Sequence, residues 1–343
     1  MSHQGFRFVL MAVVLSGCGP LVGMPDPEPP DPGSSERVRT PSVPVPVPEV
    51  DRPSPVGTAV PPAEPLVVDA ILDSPWARTA EMDARVQAWI ESFQTREAPR
   101  FRTSLARMGR YIEMVEREVE AAGLPRSLAY LPIVESWYNP RAVSWVGAAG
   151  LWQFMPPTAR GMGLVVDRLV DERRDPYLST PLALAYLAQL HDRFDSWFLA
   201  LAAYNGGPGR LGRVLSRHGA GDVGHDGLFL EVLHHLPRET RAFVPRFLAA
   251  ARVAMDPGAY GFGDVEPEEA WAYDEVAVPD ATSLDVVARA AGVEQELVEE
   301  LNPQLRRGLT PAGVSTRLRV PRGAGGRFVT EFARIPPEER VTF

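Results

Sequence analysis

Glu135 stands alone among apolar and aromatic residues in LPIVESWYNP, residues 131–140, a run that holds no other charge. A carboxyl placed this way has two readings. Either it ends an amphipathic helix and points to water, where most glutamates sit, or it lies in a desolvated cleft. Burial there raises its pKa and suits it to general acid chemistry near neutral pH. The decapeptide alone leaves both open. Close by, VSWVGAAGLWQFMPPTARGMGL, residues 143–164, reads as a compact loop. Gly147 and Gly150 let backbone approach a ligand, and Thr158 heads a short helix. Trp145, Trp152, Phe154 and Met155 offer apolar faces that suit sugar rings, although such clusters are more often core. The six histidines, including His234 and His235, show no metal-ligand spacing. No metal or cofactor is implied.

These residues need a scaffold, and the sequence predicts a helical one from about residue 66 to 260. Phe101, Leu105, Met108, Ile112, Val115 and Val119 recur at three and four, one face of a single helix that Gly123 and Pro125 stop. Leu128 to Ser136 is expected as a second, more buried helix with Glu135 near its end, closed by Asn139 and Pro140. In STPLALAYLAQLHDRF, Ser179 or Thr180 is the expected cap and Pro181 the first helical residue. WFLALAAYN follows a turn at Asp195 and Ser196. It carries no charge, so it reads as a helix buried all round, closed by GGPG.

The motifs also stand in a recognisable order. Glu135 and Ser136 in "ES", Ser144 nine residues on, Gln153 in GLWQFMPPTA, and Tyr204 and Asn205 in AAYNGGPG resemble the lytic transglycosylase family with the goose-type lysozyme fold. VDERRDPYLST, 170–180, and LPRETRAFVPRFLAA, 236–250, strengthen the match, which covers roughly residues 100 to 255. The resemblance implies cleavage of the β-1,4 bond between N-acetylmuramic acid and N-acetylglucosamine in peptidoglycan, without water. Glu135 would be the single acid and base, with the substrate's own acetamido group assisting, in place of the usual pair of carboxylates. No second acid is visible in the motifs, and Asp167, Asp171 and Asp175 read as solvent or salt-bridge residues. The substrate-binding set implied is Ser136, Ser144, Gln153, Phe154, Met155, Tyr204, Asn205 and Phe243. Ser144 would bond the sugar near the reacting centre, Gln153 and Asn205 would hold acetamido or hydroxyl groups, and Tyr204 would pack against Glu135. Asn205 also reads as a plain cap of the turn into GGPG. At Phe243 the family usually carries tyrosine, so the ring is kept and a hydroxyl donor is lost. Two rivals remain: a hydrolytic muramidase of the same fold and a peptidoglycan-binding pseudoenzyme.

The rest of the chain sets the surroundings. Its 343 residues, 45% hydrophobic, are enough for more than one folded unit. A net charge of -9 argues against a nucleic-acid partner. At the amino terminus Arg7, an apolar run from Phe8 to Leu15 and LSGC read as a secretory leader over residues 1–18, too short to span a bilayer. LSGC resembles a bacterial lipobox with Cys18, the only cysteine, as the lipidated residue. By that resemblance Gly19 favours the outer membrane, with the protein facing the periplasm. Residues 19–65 hold over a third of the 35 prolines and read as a disordered linker with a reach on the order of 100 Å.

Residues 270–325 change character. Alternation at Val276 and Val278, two short helices, and alternation at Leu318 and Val320 give a β-α-α-β order similar to a LysM module, a binder of N-acetylglucosamine chains. PDATSL stands where a glycine-containing turn is expected, so a degenerate module is predicted, either binding glycan or docking structurally. Residues 326–343 read as a tail. The fold expected is mainly α: a lysozyme-like helical catalytic domain with a small C-terminal α+β LysM-like module.

Overall fold

The computed structural model describes residues 69–219 and 224–342. The leader expected at 1–18, with Cys18, and the whole of the linker at 19–65 lie outside the described residues. Among those described, no helix is long and apolar enough to cross a membrane.

The body is helical, as expected. Helices α1 (Ala80–Gln94), α2 (Ala98–Met108), α3 (Ile112–Ala121) and α4 (Leu131–Ser136) precede the loop that runs to α5 (Pro156–Gly161). Then come α6 (Pro176–Phe194), α7 (Trp197–Gly206), α8 (Pro208–His218), α9 (Gly227–Val232) and α10 (Arg238–Met255). Helix α7 is the centre: every residue from Trp197 to Ala203 is buried, between α6 and α10. Its side chains have no solvent face to satisfy, which is why the segment carries no charge. Burying each large apolar side chain contributes about 1.5–3 kcal/mol. Ser196 caps it by accepting from the Leu199 amide at 3.2 Å, after Asp195 turns the chain in the left-handed region.

Four boundaries differ from the sequence reading. The helix expected from Leu128 to Ser136 begins at Leu131, behind a 3-10 turn over Arg126–Tyr130. The single helix expected over 101–119 is two, broken at Gly109 to Tyr111. A Cβ on Gly109 would overlap the backbone of Glu268, whose amide bonds the Ala106 carbonyl at 2.9 Å, so a distant strap crosses the break. Helix α6 starts at Pro176, not Pro181: Asp175 accepts from the amides of Tyr177 and Leu178, and Pro181 lies inside the helix. Helix α5 starts two residues before Thr158.

The carboxyl-terminal piece has the expected β-α-α-β order. Strands β1 (Tyr273–Val278) and β2 (Thr316–Pro321) pair antiparallel with Val276 opposite Leu318, and α11 (Leu284–Ala291) and α12 (Gln295–Leu301) lie between them. The tail expected at 326–343 is instead part of this module. Helix α13 (Gly325–Phe332) packs on α11, with Phe328 and Phe332 both buried and their rings 4.9 Å apart. The module is fastened to the helical body by backbone and charge. The Asp171 amide bonds the Gln304 carbonyl at 2.8 Å and the Arg306 amide bonds Leu169 at 2.9 Å. Arg319 on β2 meets Asp175 at 2.8 Å, with its guanidinium 4.3 Å from the Tyr177 ring. Asp171 and Asp175 are therefore salt-bridge residues, and buried ones; Asp167 is at the surface, accepting from the amides of Leu169 and Val170 at 2.7 Å.

Candidate active site

Glu135 reaches its place by an abrupt end of α4. Trp137 and Tyr138 both adopt left-handed backbone, φ 55° and 56°, a conformation that costs non-glycine residues of order 1 kcal/mol or more each. Packing holds them there. Tyr138 is fully buried and donates to the Ala129 carbonyl at 2.8 Å, while Trp137 lies edge-on to Phe93 and Phe101 under the guanidiniums of Arg100 and Arg246. The helix thus ends at Ser136 as expected, but the left-handed pair ends it ahead of Asn139 and Pro140, and the turn leaves Glu135 facing a cleft of about 950 Å³.

One wall is the loop of residues 142–155. Its backbone is pinned from inside. Trp152 is fully buried and donates to Thr180 at 2.9 Å. Arg173, held by Asp171 through two contacts at 2.8 and 2.9 Å, donates to the carbonyls of Gly147 and Phe154 at 2.7 and 2.8 Å. Gly150, at φ 87°, lies so close to the Arg173 carbonyl that no side chain fits. Ser144 closes the turn: its hydroxyl accepts from the Ala148 amide at 3.0 Å, leaving its own proton for the cleft. Gln153, itself left-handed at φ 50°, donates its amide to Gly150 and Ala142 and keeps its carbonyl oxygen.

The opposite wall joins the end of α7 to the start of α10. Tyr204 donates to the Trp152 carbonyl at 2.7 Å, which ties this wall to the loop. Its hydroxyl pKa is pushed far up by burial, and further by the negative charge of Glu135. Asn205 accepts from Thr240 at 2.9 Å and approaches Glu239 at 3.5 Å. It does more than cap a turn. Phe243 lines the cleft while buried, and Met155 lines it exposed.

Two of the expected binding residues are placed differently. Phe154 is 3% exposed, belongs to the core and does not line the cleft; its backbone, not its ring, serves the loop by pairing with Ala149. Ser136 borders the cleft, but its buried hydroxyl donates to the Leu151 carbonyl at 2.8 Å and so steadies the loop.

The Glu135 carboxyl has no hydrogen bond from any described residue, and its pKa is raised to about 8. Desolvation is the main cause; Arg246 opposes it and Glu239 adds to it. The residue keeps partial contact with solvent through the cleft, but enough protein surrounds the carboxyl for desolvation to dominate. It is protonated at neutral pH, with nothing of the protein competing for the proton.

Glu239 and the arginines Arg100, Arg238 and Arg246 line the same cleft and were missed as site residues. In PRETRAFVPR the charges at 238, 239 and 246 share one helix face, a pattern that could have flagged them; Arg100, on α2, has no such signal. Trp145, at the rim, is 97% exposed on the pinned loop. Among the described residues no group of three or more His, Cys, Asp or Glu could hold a metal.

Residues 114–224 match the model of the transglycosylase SLT domain, and residues 272–336 that of the lytic transglycosylase MltD LysM-like domain. The chain carries a lytic transglycosylase SLT domain. Glu135, the pinned loop and the end of α7 all fall inside it, while the α10 wall lies beyond its matched boundary. The chain is 34% identical over 193 residues to the membrane-bound lytic murein transglycosylase D of Escherichia coli (strain K12), covering 56% of this chain and 42% of that protein. It is 31% identical over 146 residues to the soluble lytic murein transglycosylase of the same strain, covering 40% and 22%. A solved structure, the 70 kDa soluble lytic transglycosylase of Escherichia coli, aligns at 27% identity and a TM-score of 0.36, over 45% of this chain and 25% of that one. The chain spans less than half the length of these relatives.

Proposed function

We propose that this chain is a peptidoglycan lytic transglycosylase, cleaving the β-1,4 bond between N-acetylmuramic acid and N-acetylglucosamine without water to leave 1,6-anhydromuramyl ends. The observation that carries this reading is the Glu135 carboxyl: desolvated, free of protein hydrogen bonds, with a pKa of about 8, and open to a cleft in an SLT domain. In the first step Glu135 gives its proton to the glycosidic oxygen as the bond breaks, and the acetamido oxygen of the muramyl sugar closes on the anomeric carbon. The carboxylate left behind then takes the proton of the C6 hydroxyl, whose oxygen displaces the acetamido group and closes the anhydro ring. One residue serves both steps because the proton it gives is replaced by the one it takes.

Ser144 and the free carbonyl of Gln153 are the groups placed to hold substrate hydroxyl or acetamido groups, with Asn205 opposite; Ser136 acts through the loop. The second carboxylate, Glu239, is exposed and raises the pKa of Glu135 by its charge. A lipid anchor at Cys18, holding the enzyme to the envelope on its proline-rich leash, completes the proposal. The test of the chemistry is Glu135→Gln. Turnover of purified sacculi should fall at least a thousandfold while co-sedimentation with them persists; retained turnover would remove Glu135 from the mechanism.

A further inference from the structure

A second hollow adjoins the active-site cleft. It lies between α1 and α10, has a volume of about 320 Å³, shares the lining residues Trp89, Arg238 and Ala242 with the cleft, and is lined on its far side by Arg85, Arg241 and His234. Three guanidiniums face this small volume in a chain whose net charge is -9. Among the described residues only one carboxylate answers them: Glu81, 2.9 Å from Arg85 and half exposed. Arg238 and Arg241 make no ion pair there. Arg241 is half-buried, on the first turn of the 18-residue α10, where the helix dipole also favours an anion.

We propose that this hollow is the subsite for the peptide branch of the substrate, holding its carboxylates. The inference rests on the transglycosylase reading above and deepens it. The substrate of that reading is itself branched: each muramyl sugar carries, through its lactyl ether, a peptide with free carboxylates that has to leave a cleft filled by the glycan. A hollow that adjoins the cleft and is lined by three arginines, two of them without an ion pair among the described residues, matches that branch in position and in charge. Guanidinium forks bind carboxylates in pairs of parallel hydrogen bonds, which fixes direction as well as affinity.

The experiment compares glycan strands that keep their peptides with strands stripped by an amidase, using the full chain and the variant Arg85→Gln/Arg241→Gln, whose residues lie in the hollow and outside the cleft. On peptide-bearing strands the variant should show KM raised about fivefold with kcat held, an effect that rising salt reproduces in the wild type. On stripped strands variant and wild type should agree. Arg85→Lys/Arg241→Lys, which keeps both charges, should recover most of the loss, and thermal melts of all three proteins exclude unfolding as the cause. Equal effects on both substrates, or none on either, overturn the subsite. A wild type that cleaves stripped strands but gains nothing from the peptide also overturns it, and leaves the transglycosylase reading standing. A wild type that cleaves neither overturns both.

Discussion

A carboxyl kept protonated at neutral pH has consequences that can be measured apart from its chemistry. Burial lifts Glu135 from its ordinary 4.5 to about 8. Between those values the folded chain holds the proton and the unfolded chain has released it, so stability falls as pH rises across that window. Glu135→Gln, which cannot ionise, is expected to raise stability by up to about 3 kcal/mol at pH 7 and to match the wild type below pH 4.5. In the wild type kcat/KM should fall as pH passes about 8, the alkaline limb belonging to loss of the Glu135 proton. Phe243 tests the same proton from its neighbourhood. Phe243→Tyr adds a donor to the cleft wall; a neutral hydrogen bond is worth about 0.5–1.5 kcal/mol, so turnover should change by about tenfold or less, and the alkaline limb should move down if the new hydroxyl reaches the carboxylate. An unmoved limb would place that hydroxyl away from Glu135. The isolated acid in an apolar run was legible in sequence because charge there is rare. Its companions were harder to place: Arg238, Glu239 and Arg246 share a charged face of α10 about a hundred residues away and Arg100 lies on α2, and only packing brings them to the cleft.

At the scale of elements, function depends on a loop that has almost no regular structure. Residues 142–155 keep their shape because Arg173 satisfies two of their carbonyls from below and Tyr204 a third from the side. Arg173→Met leaves those carbonyls and the buried Asp171 without their partner, and removing one member of a buried pair typically costs about 3–5 kcal/mol. We expect a lower melting temperature and, where the protein is still folded, a KM raised more than kcat is lowered, since Ser144 and Gln153 lose position before Glu135 does. A variant with unchanged KM would show that the loop is rigid without Arg173. Sequence reading found the loop's glycines and the residues it presents, yet took Trp152 and Phe154 for possible sugar platforms when both are anchors. Local pattern cannot tell which face of a loop is inward, since that is decided by what lies beneath. The same limit explains the helix breaks. Gly109 looks tolerable inside a helical period until the strap at Glu268 is seen against it, whereas α7, with no charged residue to place, reads as buried from sequence alone.

At the scale of the molecule, the C-terminal module is joined to the catalytic body at the segment that pins the loop. Asp171 bonds Gln304 of the module through its amide and Arg173 through its carboxylate, so module and active site share one residue. The β-α-α-β order was legible from alternation and two short helical patterns. The docking was not, because Arg319 and Asp175 are 144 residues apart, and α13 was read as tail because its two phenylalanines find their partners only once the module has folded. The proposed anchor is testable at this scale: Cys18→Ser should move the protein from the membrane to the soluble fraction with activity on soluble glycan retained, and continued sedimentation with membranes would contradict it. A lyase and a hydrolase of one fold share binding, pH limb and dependence on Glu135, and differ by one water in the product. The decisive measurement is mass spectrometry of muropeptides released from purified sacculi by the wild-type chain. A transglycosylase leaves muramyl ends in the 1,6-anhydro form, lighter by one water and not reducible by borohydride, and these are the expected products; reducing muramic acid ends would identify a hydrolase instead.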